Sequence, residues 1–426
     1  MNADVIEAGY LIETPLDPST VAAVMAGEQS SGTFVRVAGE TDELRQRAAA
    51  RVLSVEELEP MAAPSLASAY LERKQAPGPW RRARVRIAFP TANIGANLPT
   101  LASTLAGNLY DLGEVTGLKL VDMALPQGYR TRFDMPALGV AGTRERLGVR
   151  GRPFFGTIIK PNVGMRSHEI ADLVGLLCEA GVDFIKDDEV CADPDHAPIA
   201  ERAPAVMAKV RAYRERTGRD VMIAFNVTDE TDAMRRHADL IEREGGSCVM
   251  ASLNWCGLSA IQTLRRSTRL ALHGHRNGYG ALGRHPALGI GCNAYQTLYR
   301  LAGVDHLHVH GIGGKFSDAA DEVEAAARHC LTPHAGDAGD AGDVVLPVFS
   351  SGQWAGTLPR TREAAGSPDF MFLAGGGILA HPGGPAAGVA SLRQAWEAVA
   401  EGASLDAAAA SRPELAAALA FFGGRQ

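Results

Sequence analysis

Eight short apolar segments alternate with helix-like stretches from residue 154 to the end of this 426-residue chain. Each segment is rich in β-branched or aromatic residues, which favour strands. The predicted strands begin near Phe154, Val182, Val221, Ser247, Leu270, Val304, Val344 and Asp369. The stretches that read as helices between them are 167–179, 205–216, 231–244, 318–330 and 387–401. This alternation predicts an α/β fold, a (β/α)8 TIM barrel that occupies residues 153–426.

A doubly wound open sheet is the structural alternative for such an alternation. That fold binds dinucleotides at a GxGxxG turn after its first strand, and no such motif follows the segment at Phe154. The barrel is therefore the preferred fold. Its first helix is expected to have Ser167 as the N-cap, ahead of an apolar face formed by Ile170, Val174 and Leu177.

The first 120 residues do not share this rhythm. Strand-like pieces at 5–13, 34–37 and 84–89 are mixed with helix-like pieces at 18–26 and 103–110. They predict a separate, smaller α+β (ferredoxin-like) domain over residues 1–120, joined to the barrel by a linker over residues 121–152. The Ala-Gly-Asp triplet that repeats between Ala335 and Asp343 is interpreted as a spacer before the seventh barrel strand.

Composition limits the classes of function. The chain has 42 basic and 49 acidic residues and a formal net charge of −7, so no basic footprint for nucleic acid is expected. Its six cysteines show no CxxC spacing and are expected to be reduced thiols. No apolar run approaches the ~20 residues of a membrane span, and the first residues lack the pattern of a secretory signal. We therefore expect a cytoplasmic protein that binds neither nucleic acid nor membrane.

A run of charged residues, Lys186-Asp187-Asp188-Glu189, follows the second predicted strand. Such side chains are rarely buried unless they are paired or bound to metal. In a strand Lys186 and Asp188 point to the same side, and Glu189 turns into the following loop. Carboxylate oxygens suit a hard cation such as Mg²⁺. The alternative is a solvated acidic loop after a strand.

Unusual polar residues also gather at the ends of other predicted strands, where TIM barrels place their active sites. Gly375–Gly377 after the eighth strand is a candidate phosphate site, and Arg276 a candidate clamp for a second anion. The glycine-rich segment ending in Lys315 is either a lid or an ordinary turn. His275 and His308 are either site residues or core histidines. The full set is Lys160, Lys186, Asp188, Glu189, His275, Arg276, His308, Lys315, Ser350, Gly352, Gly375 and Gly376.

In these motifs and in their order the chain resembles the large-subunit superfamily of ribulose-1,5-bisphosphate carboxylase/oxygenase (RuBisCO). The resemblance implies that Lys160 handles protons of an enediolate, and that Lys186, carbamylated by CO₂, joins Asp188 and Glu189 as ligands of Mg²⁺. It implies catalytic roles for His275, His308 and Lys315. It implies contacts with a phosphorylated substrate for Glu28, Thr33, Asn108, Arg276, Ser350, Gly352, Gly375 and Gly376. Glu28 and Asn108 resemble residues that complete the site of a neighbouring subunit, so a homodimer with shared active sites is expected.

Departures from the carboxylating enzymes narrow the expected activity. Asn162 stands where they carry a second lysine, Phe34 stands where they carry tryptophan, and the segment at 310–317 differs from their lid. In these differences the chain resembles the RuBisCO-like (form IV) proteins. It is therefore not expected to fix CO₂ on ribulose bisphosphate. Lys315 also distinguishes the chain from the RuBisCO-like enolases of methionine salvage, which lack this lysine.

The resemblance then implies a lyase of carbohydrate metabolism that cleaves a C–C bond in a β-keto sugar acid phosphate, such as 3-oxo-isoapionate 4-phosphate. Cleavage would proceed by decarboxylation or by transcarboxylation and hydrolysis. The alternatives are an enolase or isomerase of a methylthio-ketose phosphate, an authentic carboxylase, and a non-catalytic regulatory protein.

Overall fold

The computed structural model of the chain describes residues 5–32, 37–334 and 341–425. These residues form two compact units. Unit 1 extends to Phe133 and also includes Gly278–Ala302, whereas unit 2 comprises Asp134–Asn277, Gly303–Thr332 and the chain from Ala341 onward. The predicted linker 121–152 therefore contains the end of a strand of unit 1 and a helix of unit 2. The domain limits 1–120, 121–152 and 153–426 stay predictions.

The regular elements of the described ranges are numbered here in chain order. The strands are β1 Val5–Thr14, β2 Arg51–Met61, β3 Trp80–Pro90, β4 Gly117–Ala124, β5 Phe154–Ile158, β6 Phe184–Lys186, β7 Met222–Asn226, β8 Cys248–Ser252, β9 Ala271–His275, β10 Leu288–Ile290, β11 His306–His308, β12 Leu346–Phe349 and β13 Met371–Leu373. The helices are α1 Pro18–Glu28, α2 Asp42–Ala48, α3 Ala69–Arg73, α4 Leu98–Ala106, α5 Gly139–Leu147, α6 Ser167–Ala180, α7 Ile199–Thr217, α8 Thr231–Arg243, α9 Leu253–Ser267, α10 Tyr279–Gly283, α11 Cys292–Leu301, α12 Ala320–Leu331, α13 Leu358–Ala365, α14 Gly375–Leu379, α15 Gly384–Ala400, α16 Leu405–Ala409 and α17 Pro413–Phe422.

Unit 1 is built on a five-stranded sheet in the order β10-β4-β1-β3-β2. The strands β1, β2, β3 and β4 are paired antiparallel, and β10 lies parallel to β4 with Leu288 opposite Leu118. Every second residue of β1, from Ile6 to Ile12, is buried, as expected for a strand with one face on a core. The helix α1 begins after Asp17, whose carboxylate accepts a hydrogen bond from Thr20 N at 2.9 Å.

Unit 2 is a closed barrel of eight described parallel strands, in the order β5-β6-β7-β8-β9-β11-β12-β13. Buried side chains fill its interior because alternate residues of each strand point inward. Among them are Phe154, Phe184, Met222, Met250, Leu346, Val348 and Met371. The prediction of a (β/α)8 barrel preceded by a smaller α+β domain is confirmed.

Each predicted barrel strand is present and begins at or within two residues of its predicted start. The helices α6 and α8 also agree closely with their predicted limits. The helix α7 begins at Ile199, six residues before the predicted start, because it continues through Pro204, which reads as a helix breaker. The predicted N-cap is wrong by one residue, since Ser167 is the first helical residue and Arg166 is the cap, donating its N–H to Glu169 Oε2 at 2.7 Å.

Several elements of unit 1 were not predicted, among them β2, β4 and β10. The predicted strand at 34–37 and most of the Ala-Gly-Asp repeat fall on residues outside the described ranges. Within those ranges, no helix has both the length and the apolar character needed to cross a membrane.

Candidate functional site

A lysine and a carboxylate from neighbouring barrel strands form the centre of the candidate site. Lys160 follows β5 and Asp188 follows β6, and these strands are adjacent and parallel. Lys160 Nζ donates to Asp188 Oδ2 at 2.6 Å and to Asn162 Oδ1 at 2.9 Å. The Asp188 side chain is 1% exposed and that of Lys160 is 40% exposed. Asn162, in the position of the second lysine of the carboxylating enzymes, thus holds the remaining lysine over the carboxylate.

Lys186 is the last residue of β6 and is 1% exposed. Its Nζ donates to the carbonyl oxygen of Asp187 at 2.8 Å and lies 3.5 Å from Glu189 Oε2. Burial lowers the pKa of the Lys186 amine, although the carboxylates of Glu189, Asp188 and Asp187 act in the opposite direction. A lowered pKa leaves more of the amine neutral, which is the form that reacts with electrophiles such as CO₂.

Asp187 faces away from this site, as the alternation of a strand requires. Its Oδ2 accepts hydrogen bonds from Arg202 Nη2 at 3.1 Å and from Asn226 N at 2.9 Å. Arg202 is 0% exposed and also donates to the carbonyls of Ala192 and Ala197. Arg202 therefore ties the loop after β6 to the strand end.

Asn226, at the end of β7, links Asp187 and Asp188. Its side chain donates to Asp188 O at 3.1 Å, while its backbone N–H donates to Asp187. Sequence reasoning identified neither Asn226 nor Arg202. The strand alternation, which turns Asp187 away from Lys186, was the available signal that a buried partner was needed behind the site.

The two predicted histidines lie side by side at the ends of β9 and β11. The rings of His275 and His308 have centroids 4.4 Å apart. His275 Nε2 is 3.7 Å from Glu189 Oε2, and His308 Nδ1 is 3.0 Å from Ser350 Oγ. Burial lowers the pKa of both imidazoles well below the usual histidine value, so both are neutral at pH 7.

Lys315 is exposed on the segment that follows β11, with its Nζ 5.2 Å from the centre of the Phe316 ring. The glycines of this segment have two different roles. Gly313 has φ +65°, a conformation that favours glycine. A Cβ at Gly311 would lie 1.8 Å from Gln353 Nε2, and one at Gly314 would lie 2.5 Å from Ser351 O. Gly311 and Gly314 are thus needed for close approach to the loop after β12.

Arg276, predicted to hold an anion, is paired with Asp318, which lies on the segment that also carries Lys315. Its Nη2 lies 3.3 Å from Asp318 Oδ1 and donates to Val309 O at 3.3 Å. Asp318 also bonds to His310 Nδ1. Burial alone would raise the pKa of Asp318, but the hydrogen bond with His310 and the charge of Arg276 lower it to about 2. A substrate anion at Arg276 would therefore compete with an ionised carboxylate.

The predicted phosphate residues lie at the ends of the last two strands. Gly375 and Gly376 begin α14, directly after β13, and a Cβ at Gly376 would meet open space. Gly352 follows β12 with φ +71°, and a Cβ there would lie 3.6 Å from Gly314 Cα. The assignment of a phosphate to these backbone N–H groups stays a prediction.

The predicted residues of unit 1 include one pair in direct contact. Asn108 Nδ2 donates to Glu28 Oε1 at 3.3 Å, although 80 residues separate them. Glu28 is the last residue of α1, and Asn108 lies two residues after the end of α4. Thr33 lies outside the described residues.

A second group of metal-ligating residue types lies on the loops after β6 and β7 and on α8. Asp193, Asp229 and His237 place one ligand atom each within 4.8 Å of the others. Asp193 Oδ1 already accepts a hydrogen bond from Ile199 N at the start of α7. Both carboxylates are exposed, so this group is explained without a metal.

A TIM barrel with a buried lysine, two adjacent carboxylates and a second lysine at the ends of neighbouring strands defines a class of barrel with a site for a hard cation and for proton transfer. Residues 3–129 match the N-terminal domain of the ribulose bisphosphate carboxylase large chain, and residues 139–422 match its catalytic domain. The chain belongs to the RuBisCO large-chain family.

Relatives within this family carry RuBisCO-like names. The chain is 49% identical to an uncharacterized ribulose bisphosphate carboxylase-like protein of Bordetella bronchiseptica, over 98% of each chain. It is 46% identical to the 3-oxo-isoapionate-4-phosphate transcarboxylase/hydrolase of Xanthobacter autotrophicus, over 98% of this chain and 99% of that one. It is 42% identical to the 3-oxo-isoapionate-4-phosphate decarboxylase of Rhizobium etli, over 97% of each.

Solved structures agree with this assignment. A rubisco-like protein from Burkholderia fungorum is 63% identical and superposes with a TM-score of 0.93, covering 98% of this chain and 100% of that one. The dimeric archaeal Rubisco from Hyperthermus butylicus is 28% identical with a TM-score of 0.86, covering 99% and 97%.

Proposed function

We propose that this protein is a magnesium-dependent RuBisCO-like lyase that cleaves a C–C bond of 3-oxo-isoapionate 4-phosphate and forms an enediolate. One observation carries the proposal: two relatives named for this substrate match the chain over nearly its whole length at 46% and 42% identity. Because one is named a transcarboxylase/hydrolase and the other a decarboxylase, the fate of the carboxyl group is left to experiment.

The residues at the end of β6 fit the metal that this chemistry requires. Asp188 and Glu189 supply carboxylate oxygens, and Lys186 lies 3.5 Å from Glu189 with the lowered pKa that favours carbamate formation. A cation is already accommodated beside Asp188, since the ammonium of Lys160 lies 2.6 Å from it. When bound there, Mg²⁺ would act as a Lewis acid that stabilises negative charge on adjacent substrate oxygens.

The two exposed or half-exposed lysines act on the substrate itself. Lys160 is held by Asp188 and Asn162, and it would exchange a proton with the enediolate carbon. Lys315 faces the carboxyl group that is lost or transferred. A cation near that group contributes most where charge develops in the transition state. The retained Lys315 is the feature that favours C–C cleavage over the enolase or isomerase alternative.

Anion-binding groups hold the substrate in register with these lysines. The backbone N–H groups of Gly375 and Gly376 bind the phosphate at the start of α14, with Gly352 beside them. Arg276 binds a second anionic group and releases Asp318 as it does so. His275, neutral because it is buried, exchanges hydrogen bonds with substrate oxygens without adding charge. His308, also neutral, acts on the substrate through Ser350, whose Oγ lies 3.0 Å from His308 Nδ1.

The functional form is a homodimer in which Glu28 and Asn108 of one subunit complete the site of the other. Exposed apolar side chains that follow four of the barrel strands, three on loops and one in the first turn of α9, support this proposal, because exposed apolar surface marks protein interfaces. They are Val163 at 50%, Val190 at 62%, Trp255 at 70% and Phe316 at 49% exposure. Thr33 belongs to the same proposed group of substrate contacts.

The decisive experiment incubates purified protein with Mg²⁺, bicarbonate and 3-oxo-isoapionate 4-phosphate, and follows products by ¹H and ³¹P NMR with parallel CO₂ detection. We expect consumption of the substrate, and one CO₂ per phosphorylated product if the reaction is decarboxylation. Ribulose 1,5-bisphosphate and a methylthio-ketose phosphate serve as comparison substrates. Turnover of either comparison substrate at a higher kcat/KM than 3-oxo-isoapionate 4-phosphate would contradict the proposal.

Control proteins separate enzyme chemistry from contamination. Lys160→Ala removes a lysine of the site, whereas Lys209→Ala removes an exposed lysine of α7 that pairs with Asp172 at 2.8 Å. We expect no turnover by the first and unchanged turnover by the second.

A further inference from the structure

Three histidines of β9 and β11 form a hydrogen-bonded chain through the interior of the barrel. His308 Nδ1 contacts Ser350 Oγ at 3.0 Å, and His308 Nε2 contacts His273 Nε2 at 2.8 Å. His273 Nδ1 contacts His306 Nδ1 at 3.4 Å, and His306 Nε2 contacts Thr143 Oγ1 of α5 at 3.0 Å. This series of hydrogen bonds therefore connects Ser350 of the candidate site with Thr143 of α5.

Thr143 determines which atom donates and which accepts in each of these hydrogen bonds. Thr143 Oγ1 lies 2.6 Å from the carbonyl oxygen of Gly139, four residues earlier in the same helix. A carbonyl only accepts, and a hydroxyl has one proton, so Thr143 donates that proton to Gly139. His306 Nε2 must then carry a proton and donate it to Thr143.

The remaining bonds follow one from another, because a neutral imidazole has one donor and one acceptor nitrogen. His306 Nδ1 is an acceptor and receives the Nδ1 proton of His273. His273 Nε2 is then an acceptor and receives the Nε2 proton of His308. His308 Nδ1 is left as an acceptor for the hydroxyl proton of Ser350.

All three imidazoles are neutral, so each has one donor and one acceptor nitrogen. Each of the three is buried, with His306 at 0%, His273 at 1% and His308 at 3% exposure. Burial lowers the pKa of His306 to about 3, and it lowers the pKa values of His273 and His308 well below the usual range. Phe184 packs against His273 with ring centroids 5.0 Å apart and excludes a further polar partner on that side.

We infer that Thr143 is a positioning residue that fixes the tautomers of His306, His273 and His308, so that Ser350 offers the substrate a hydrogen-bond acceptor. The proton of Ser350 is committed to His308, and its lone pairs remain for the substrate. Ser350 therefore binds a hydroxyl group of the substrate and not its phosphate, which has no proton to donate when fully ionised. The tautomers do not depend on the proposed function; the assignment to a substrate hydroxyl rests on it.

Replacement of Thr143 by valine should reverse the whole chain. Without an acceptor at Nε2, His306 gains by protonating Nδ1 and donating to His273, because a buried donor without a partner is costly. His273 then donates through Nε2 to His308, and His308 donates through Nδ1 to Ser350. The hydroxyl proton of Ser350 becomes free to point at the substrate.

Neutron diffraction from perdeuterated crystals of the full chain tests the inference without any turnover. We expect deuterium on Nε2 of His306, Nδ1 of His273 and Nε2 of His308 in the parent protein and in Thr143→Ser. We expect the opposite three nitrogens to be deuterated in Thr143→Val. Deuterium on Nδ1 of His308 in the parent would overturn the inference, and so would unchanged positions in Thr143→Val.

Kinetics then test the consequence for Ser350. Thr143→Val should lower kcat/KM about tenfold, as expected for the loss of one hydrogen bond to the substrate, and Thr143→Ser should restore it. Inhibition by inorganic phosphate should be the same in all three proteins, because Ser350 does not bind that group. A changed inhibition constant in Thr143→Val would assign Ser350 to the phosphate and overturn this part. If no substrate is turned over by the parent protein, the proposed function fails, while the neutron result still decides the tautomers.

Discussion

The ends of β6 and β11 hold their charged residues in opposite ways. At the end of β6, Lys186, Asp187 and Asp188 are all nearly inaccessible to solvent, and the side chain of each makes a hydrogen bond. After β11, Lys315 is exposed, with its ammonium over the ring of its neighbour Phe316. Groups that bind a metal must be in place before the substrate arrives, whereas a cation that acts on a leaving carboxyl group can arrive with it.

The two regions therefore differ in how fully one conformation describes them. The contacts at the end of β6 do not depend on a bound substrate, because its side chains have few alternative conformations in a close-packed interior. The role of Lys315 depends on a conformation in which the substrate is bound, and it is open to kinetic tests.

The largest expected effect is at Lys186. Lys186→Ala should reduce activity to background while the protein stays folded, because the metal site loses the ligand that its carbamate would supply. Titration calorimetry should show weak binding of Mg²⁺ by the parent protein without bicarbonate, tighter binding with it, and no effect of bicarbonate on the variant. The control is Lys209→Ala, which removes a lysine on the surface. Substantial turnover by Lys186→Ala would refute the assignment of the metal site.

The two adjacent carboxylates should separate stability from activity. Asp187→Asn leaves the buried guanidinium of Arg202 without its counter-charge, and such a loss typically costs about 3–5 kcal/mol of unfolding free energy. Asp188→Asn should change stability far less, because its partner Lys160 is half-exposed, but should abolish activity. Urea unfolding and turnover assays of both variants check this. Equal losses of stability in both would mean that the two carboxylates do not differ in role.

Lys315→Met tests the exposed side of the comparison. The variant should lower kcat for C–C cleavage by roughly 10²–10³-fold, the size of one lost transition-state contact. Binding of Mg²⁺ and unfolding free energy should be unchanged, because Lys315 contacts neither the metal residues nor the core. An unchanged kcat would leave Lys315 without a catalytic role and favour the enolase or isomerase alternative.

The barrel could be predicted from the sequence because each of its strands is a short apolar run between helices. The strand β2 could not, since its sequence, from Arg51 to Met61, has no apolar alternation and no residue of it is buried. Neither could β10, whose partner β4 lies some 170 residues earlier in the chain. Pairing over such a separation leaves no local pattern in a segment of three residues.

The candidate site was predictable to the extent that it lies at strand ends. Lys186, Asp188, His275 and His308 were found by this rule, and the alternation within β6 also gave the side on which Lys186 and Asp188 lie. The partners behind the site were missed, because Thr143 lies in the segment predicted as a linker and Arg202 lies before the predicted start of its helix. Only the three-dimensional pairing shows that Arg202 meets Asp187 and that Thr143 meets His306.

The smallest expected signal tests whether unit 1 contributes to the site at all. Glu28 and Asn108 are in contact with each other, yet the proposal assigns them to the site of a neighbouring subunit. Asn108→Ala and Lys160→Ala should each be inactive as pure homodimers. In a hybrid, one site combines an intact barrel with an intact partner Asn108, and the other site lacks both residues.

Mixing the two inactive proteins should therefore restore about a quarter of the parent activity, because random exchange in a two-fold dimer makes half of the dimers hybrid and half of their sites complete. Native mass spectrometry of a mixture with one isotope-labelled protein measures the exchange independently. Asn293→Ala, a substitution in α11 outside the proposed site, serves as a control that should remain active alone. If exchange occurs and no activity returns, each subunit must supply its own Asn108, and the shared site is wrong.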